Sequence, residues 1–101
     1  MPEDTPVLDT LAAMTAVSVV EADLPPGALM LVRLAALAAV DAGPASYLLN
    51  IGPAAEAGIT LEDAQSVLVA VAPIIGTART MSAAINIAEA LELAIEVIES
   101  E

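Results

Sequence analysis

The stretch Gly76–Ser100, GTARTMSAAINIAEALELAIEVIES, decides the fold class. Arg79, Ser82, Asn86, Glu89, Glu92, Glu96 and Glu99 recur every three or four residues. Met81, Ile85, Ala88, Leu91, Ile95 and Ile98 form the opposite, apolar stripe. A period near 3.6 is that of an amphipathic helix, and no part of the chain alternates strictly with the period of two that a half-buried strand would show. The spacing predicts one helix opening at Gly76-Thr77 and running to about Ser100.

Working back from that helix, turn signals divide the rest of the chain. Val67–Ile75 is apolar throughout and contains Pro73. It forms the second half of a helix capped by Thr60, with Glu62 and Asp63 in the first turn, where negative charge meets the positive helix end. Gly58 suits a left-handed C-terminal cap for the preceding helix, Ala45–Ala57. Gly52-Pro53 interrupts that helix and predicts a kink, because proline removes a hydrogen bond and clashes one turn back. Gly43-Pro44 separates it from Ala28–Asp41, which is apolar all round apart from Arg33 and so reads as a central, buried helix. Leu24-Pro25-Pro26-Gly27 precedes this helix, and the first helix runs from about Pro6 to Val20. The expected architecture is all-α: a compact bundle of about five helices in one domain spanning residues 1–101.

Composition bounds what such a bundle can do. The apolar fraction is 58%, against roughly 45–50% for an average soluble protein. The excess belongs either in a membrane or between subunits. A spanning helix needs about 20 predominantly apolar residues. The longest uncharged run, Ala64–Ala78, is shorter than that and is broken by Pro73 and Gly76. Met1-Pro2-Glu3-Asp4 carries acids where a signal peptide carries positive charge. The expectation is therefore a cytoplasmic homo-oligomer, with no membrane partner. The net charge is −12, with Arg33 and Arg79 the only cations. Such a surface repels nucleic acid, which is bound through Lys and Arg. It also keeps an apolar protein soluble.

The chain has no cysteine and no histidine. Thiolate chemistry and histidine-based nucleophile activation are thereby excluded. The acids Glu89, Glu92, Glu96 and Glu99 are spaced closely enough to share a hard cation. No histidine or loop carbonyl joins them, so they read as a solvated face, and no metal or cofactor is expected. The segment Asp41–Asn50 is the other candidate. Ser46 and Asn50 lie one turn apart near a helix N-terminus, where free N–H groups favour anions.

At these residues the chain resembles the carboxymuconolactone decarboxylase and alkylhydroperoxidase-D-like family, over about residues 24–91. Leu24-Pro25-Pro26 opening an apolar helix, the run Ala55-Glu56-Ala57-Gly58-Ile59-Thr60-Leu61-Glu62-Asp63-Ala64, and the Gly76 turn before a final helix carry the resemblance. It implies a helical fold assembled as a homotrimer or homohexamer. Counting back from Gly58 places Asn50 at the family's histidine, Ser46 at its second cysteine and Gly43 at its first. The family's upstream glutamate falls at Met30 or Leu31. Every catalytic position is replaced, and Gly52-Pro53 departs from a helix the family keeps straight.

The resulting expectation is a divergent member without thiol peroxidase activity. It would be an oligomeric scaffold whose small-ligand pocket is built around Arg33, Ser46, Tyr47, Asn50 and Arg79. Two alternatives remain. One is a cofactor-free isomerase, cyclase or decarboxylase on a small organic acid, with Asp41 or Tyr47 moving protons and an arginine holding the carboxylate. The other is a structural protein that docks a partner on its acidic last helix. Arg33 in an apolar helix demands a partner from another helix, another subunit or a ligand.

Overall fold

Proline and glycine set nearly every boundary in the computed structural model, which describes residues 5–100. Five helices follow one another: α1 (Pro6–Glu21), α2 (Pro26–Ala39), α3 (Pro44–Glu56), α4 (Leu61–Ile75) and α5 (Thr77–Glu99). The acidic start of the chain, residues 1–4, lies outside the described residues. Pro6, Pro26 and Pro44 each occupy the first helical position, where a missing N–H costs nothing.

Two helices end in the same motif. At the end of α3, Gly58 N–H donates to the Ala55 carbonyl and Ile59 N–H to that of Ala54, with Gly58 at φ +82°. This is a Schellman cap, whose left-handed residue is usually glycine. At the end of α2 the equivalent bonds run from Asp41 to Ala38 and from Ala42 to Leu37, and the left-handed residue is Asp41, at φ +56°. A non-glycine residue there is strained, although aspartate tolerates the region better than most.

The start of α4 is a reciprocal capping box. Thr60 Oγ1 accepts from Asp63 N–H at 3.0 Å, and Asp63 Oδ2 accepts from Thr60 N–H at 2.9 Å. At its other end a single residue, Gly76, joins α4 to α5 with φ 91° and ψ 166°, a backbone conformation open essentially to glycine alone.

Both internal prolines face water. Pro53 and Pro73 are exposed, as are Leu49 and Val69, at 75% and 74%. These are the residues whose carbonyls lose their donor one turn back. Solvent can hydrate those carbonyls, which lets α3 and α4 each run on as one element.

The core lies between α2, α3, α4 and α5. Ala38, Tyr47, Leu68, Ala83 and Ala90 are buried together, with Leu34, Leu37, Leu48, Ile51 and Ile87 packed around them. Three alanines at the centre let helix axes approach closely, since interaxial distance follows the side chains at the contact. α2 packs against α3, α4 and α5 and is central as expected. It is not covered all round: Val32, Ala36 and Ala39 are exposed.

α5 corrects the reading of its stripes more sharply. Its inward face is Ala83, Ile87, Ala90 and Ala94, whereas Met81, Ile85, Ile95 and Ile98 are exposed. Of the large apolar residues of that stripe, only Leu91 is half-buried; the others are exposed.

α1 has no buried residue, and Val7, Leu8, Leu11, Met14, Val17, Val19 and Val20 are all exposed. The chain's accessible surface is 6874 Å², against about 5,300 Å² for a compact monomer of this mass. The radius of gyration is 14.3 Å, where about 13 Å is usual for 100 residues. Among the described residues, no helix is long and apolar enough to cross a membrane.

Candidate functional site

A cavity of about 210 Å³ opens between α2, α3, the start of α4 and the middle of α5. The helical repeat explains its walls. Met30, Leu34 and Leu37 line it from one face of α2, and Asn50, Ile51 and Ala54 from one face of α3. Ile59, Leu61 and Ala64 close one end, and Ile87, Ala90 and Leu91 of α5 form the far wall. The polar side chains on the lining are Tyr47, Asn50 and Thr60.

Tyr47 is the most constrained of these. The residue is only 4% exposed, and its hydroxyl is buried without a hydrogen-bond partner among the described residues. A buried polar group left unsatisfied costs about 1–3 kcal/mol. Burial raises the Tyr47 phenol above its ordinary value, and the negative charge of Asp41 adds to the shift. Tyr47 therefore stays a neutral donor through the physiological range. Asn50 is partly committed: its Nδ2 donates to the Ser46 carbonyl at 2.9 Å, leaving its Oδ1 free to accept. Thr60 Oγ1 is held in the capping box.

Beside Tyr47, a polar cluster ties the α2–α3 turn to α5. Ser82 Oγ donates to Asp41 Oδ1 at 2.6 Å. Asn86 Nδ2 donates to the Ala42 carbonyl at 3.1 Å and to Ser82 Oγ at 3.3 Å. The strained Asp41 backbone thus places a carboxylate where α5 can hold it. Ser82 and Asn86 belong to the polar stripe read from the sequence, but they serve this turn and not solvent alone.

Of the five residues expected around a pocket, the fold brings two together on the cavity wall, Tyr47 and Asn50. Ser46 is half-buried and contributes its carbonyl to Asn50. Arg33 is half-buried outside the cavity, and its guanidinium donates to Ser18 Oγ on α1 at 3.0 Å. Its partner does come from another helix, but it is a neutral hydroxyl. Arg79 is exposed near the start of α5. It lies about 12 Å along the axis from Ile87, at 1.5 Å per residue. The apolar walls were missed, although Met30, Leu34 and Leu37 at spacings of four and three were the signal for them. Among the described residues, no group of three or more acids is placed to hold a metal ion.

No family model matches the chain. No curated protein and no solved structure matches it either.

Proposed function

We propose that this chain is an oligomeric binding scaffold that holds a small, mainly apolar molecule in the α2–α5 cavity, without thiol peroxidase activity. The observation that carries this reading is a mainly apolar cavity lined by Tyr47, Asn50 and Thr60, in which the Tyr47 hydroxyl is buried and has no hydrogen-bond partner among the described residues. Ligand sites are concave and mostly apolar, with a few polar groups that fix orientation. A ligand carrying one uncharged acceptor, such as a ketone or ester carbonyl, would satisfy that hydroxyl while its hydrocarbon part covers Leu34, Ile51 and Ile87. Because neither arginine reaches the wall, an ionised organic acid fits this cavity less well than a neutral carbonyl compound. The resemblance to the carboxymuconolactone decarboxylase-like family supports the same reading, with Asn50, Ser46 and Gly43 replacing its catalytic groups. It also suggests a homotrimer or homohexamer, which the exposed apolar side chains of α1 and α5 favour.

Proton transfer by Tyr47 in a cofactor-free enzyme is the weaker reading. A phenol held protonated by burial and by Asp41 donates hydrogen bonds but abstracts protons poorly.

Calorimetric titration with a medium-chain methyl ketone, the matching alkane and the matching carboxylate tests the assignment. The ketone is expected to bind tightest. Ala54→Phe, which fills the cavity, should abolish binding with the helical content unchanged. Tyr47→Phe should weaken ketone binding about tenfold, or about 1.4 kcal/mol, and leave the alkane unaffected. Binding that survives Ala54→Phe, or no binding by any of the three, sinks the reading. The same protein, free of added metal, is expected to leave an organic hydroperoxide intact.

A further inference from the structure

The chain carries 14 acids in 101 residues, yet none between Ala64 and Ala88. This acid-free run is the α4–Gly76–α5 joint. It is also apolar and open: Val69, Ile74, Met81 and Ile85 are exposed within three turns of Gly76, with Ile74 at 85%. Its one charge is the exposed cation Arg79. Large exposed apolar patches on a soluble chain mark interaction surfaces.

α1 is the complementary piece. It is mostly apolar with no continuous polar face, buries no residue, and its only charges are the acids Asp9 and Glu21. A helix that is hydrophobic all round belongs in a buried setting. Apart from the Arg33–Ser18 hydrogen bond, one chain therefore holds an apolar, acidic arm that buries no residue on its own bundle, and an apolar, cationic bed that the arm does not cover. The surface in excess of a compact monomer, more than about 1,000 Å² by the comparison above, exceeds the roughly 800 Å² per partner of a standard interface.

We propose that α1 of one chain docks on the α4–α5 joint of a second copy, with Leu11 and Met14 against Ile74 and Met81, and with the arm's acids towards Arg79. The contact is heterologous, so it closes either reciprocally between two chains or head-to-tail around a ring. The inference rests on the homo-oligomer reading and specifies the surfaces that build it.

Complementation of two broken chains tests it by sedimentation velocity. Leu11→Gln with Met14→Gln disables the arm, and Ile74→Gln with Met81→Gln disables the bed. All four residues are exposed, or lie on the coreless α1, so the α2–α5 core is untouched, and circular dichroism checks that the helices persist. Each variant alone is expected to be monomeric, with self-association weakened at least about a hundredfold. Mixed, they should form a 1:1 pair and nothing larger, because one arm and one bed survive. Arg79→Glu in the chain that keeps its bed should weaken that pair about tenfold.

A wild-type chain that stays monomeric at about 100 micromolar, roughly a hundredfold above a micromolar Kd, would remove both this inference and the homo-oligomer. Oligomers that persist in both variants, or variants that fail to pair, would remove the arm-to-joint contact and leave the homo-oligomer standing. Binding of the wild type to phosphatidylserine vesicles that Met81→Gln abolishes would overturn the inference in favour of a membrane-facing joint.

Discussion

Tyr47 is the chain's only aromatic residue, so its titration can be followed by absorbance without interference. Its folded-state pKa is raised, first by burial and then by Asp41. The neutral phenol is thus favoured by folding. That contribution is fully present below the ordinary tyrosine value of about 10, and it is lost as pH rises through the higher folded value. Stability should fall above about pH 10, and Tyr47→Phe should flatten that alkaline loss while leaving the melting temperature at pH 7 equal or higher. A melting temperature that falls identically with pH in both proteins would mean Tyr47 is not responsible. The sequence marked Ser46 and Asn50 as one turn apart near a helix N-terminus, and of that pair Asn50 lines the cavity, beside Tyr47. It placed Arg33 and Arg79 beside them only because each is a conspicuous charge in an apolar run. Charge identifies a residue that needs a partner, but not the direction in which its helix face points.

At the level of helices, glycine is needed where the backbone leaves the region open to other residues. Gly76 sits at φ 91° and ψ 166°, so Gly76→Ala should destabilise by about 1–3 kcal/mol. A β-carbon there would meet nothing within 4 Å, so the loss is conformational and not a clash. Gly52, inside α3, would also meet nothing; Gly52→Ala should therefore stabilise by about 0.5–1 kcal/mol. Thermal unfolding of the two variants should move in opposite directions, and a shared direction would refute this account of Gly76. These glycines and prolines are why the element count and boundaries could be read from the chain to within about two residues at most ends. The orientation of α5 was less legible. Its two stripes are both real, but the bundle turns Ala83 and Ala90 inward because close helix approach selects small residues, and this strands Met81 and Ile85 outside. Periodicity gives faces; only packing partners decide which of two apolar faces is used.

For the molecule as a whole, the dominant long-range term is the net charge of −12. Bringing two such chains together opposes every apolar contact between them, and added salt screens that repulsion. One Arg79 facing two arm acids is a small counterweight. Self-association should therefore tighten several-fold as ionic strength rises from about 0.01 M to about 0.15 M, where the Debye length falls from about 30 Å to about 8 Å. Light scattering across that range measures it, and weaker association in salt would show that attraction between opposite charges outweighs the overall repulsion.

The isolation of α1 from its own core has a consequence for how the protein exists in a cell. A lone helix of 16 residues is marginal in water, because one costly nucleus is repaid by few propagating bonds. If α1 is ordered by a neighbour, the folding of that part of the chain is bimolecular and shifts with concentration by mass action. Dilution would melt the arm while α2–α5 stayed folded, and accumulation would restore it. The amount of the protein made would then set its shape.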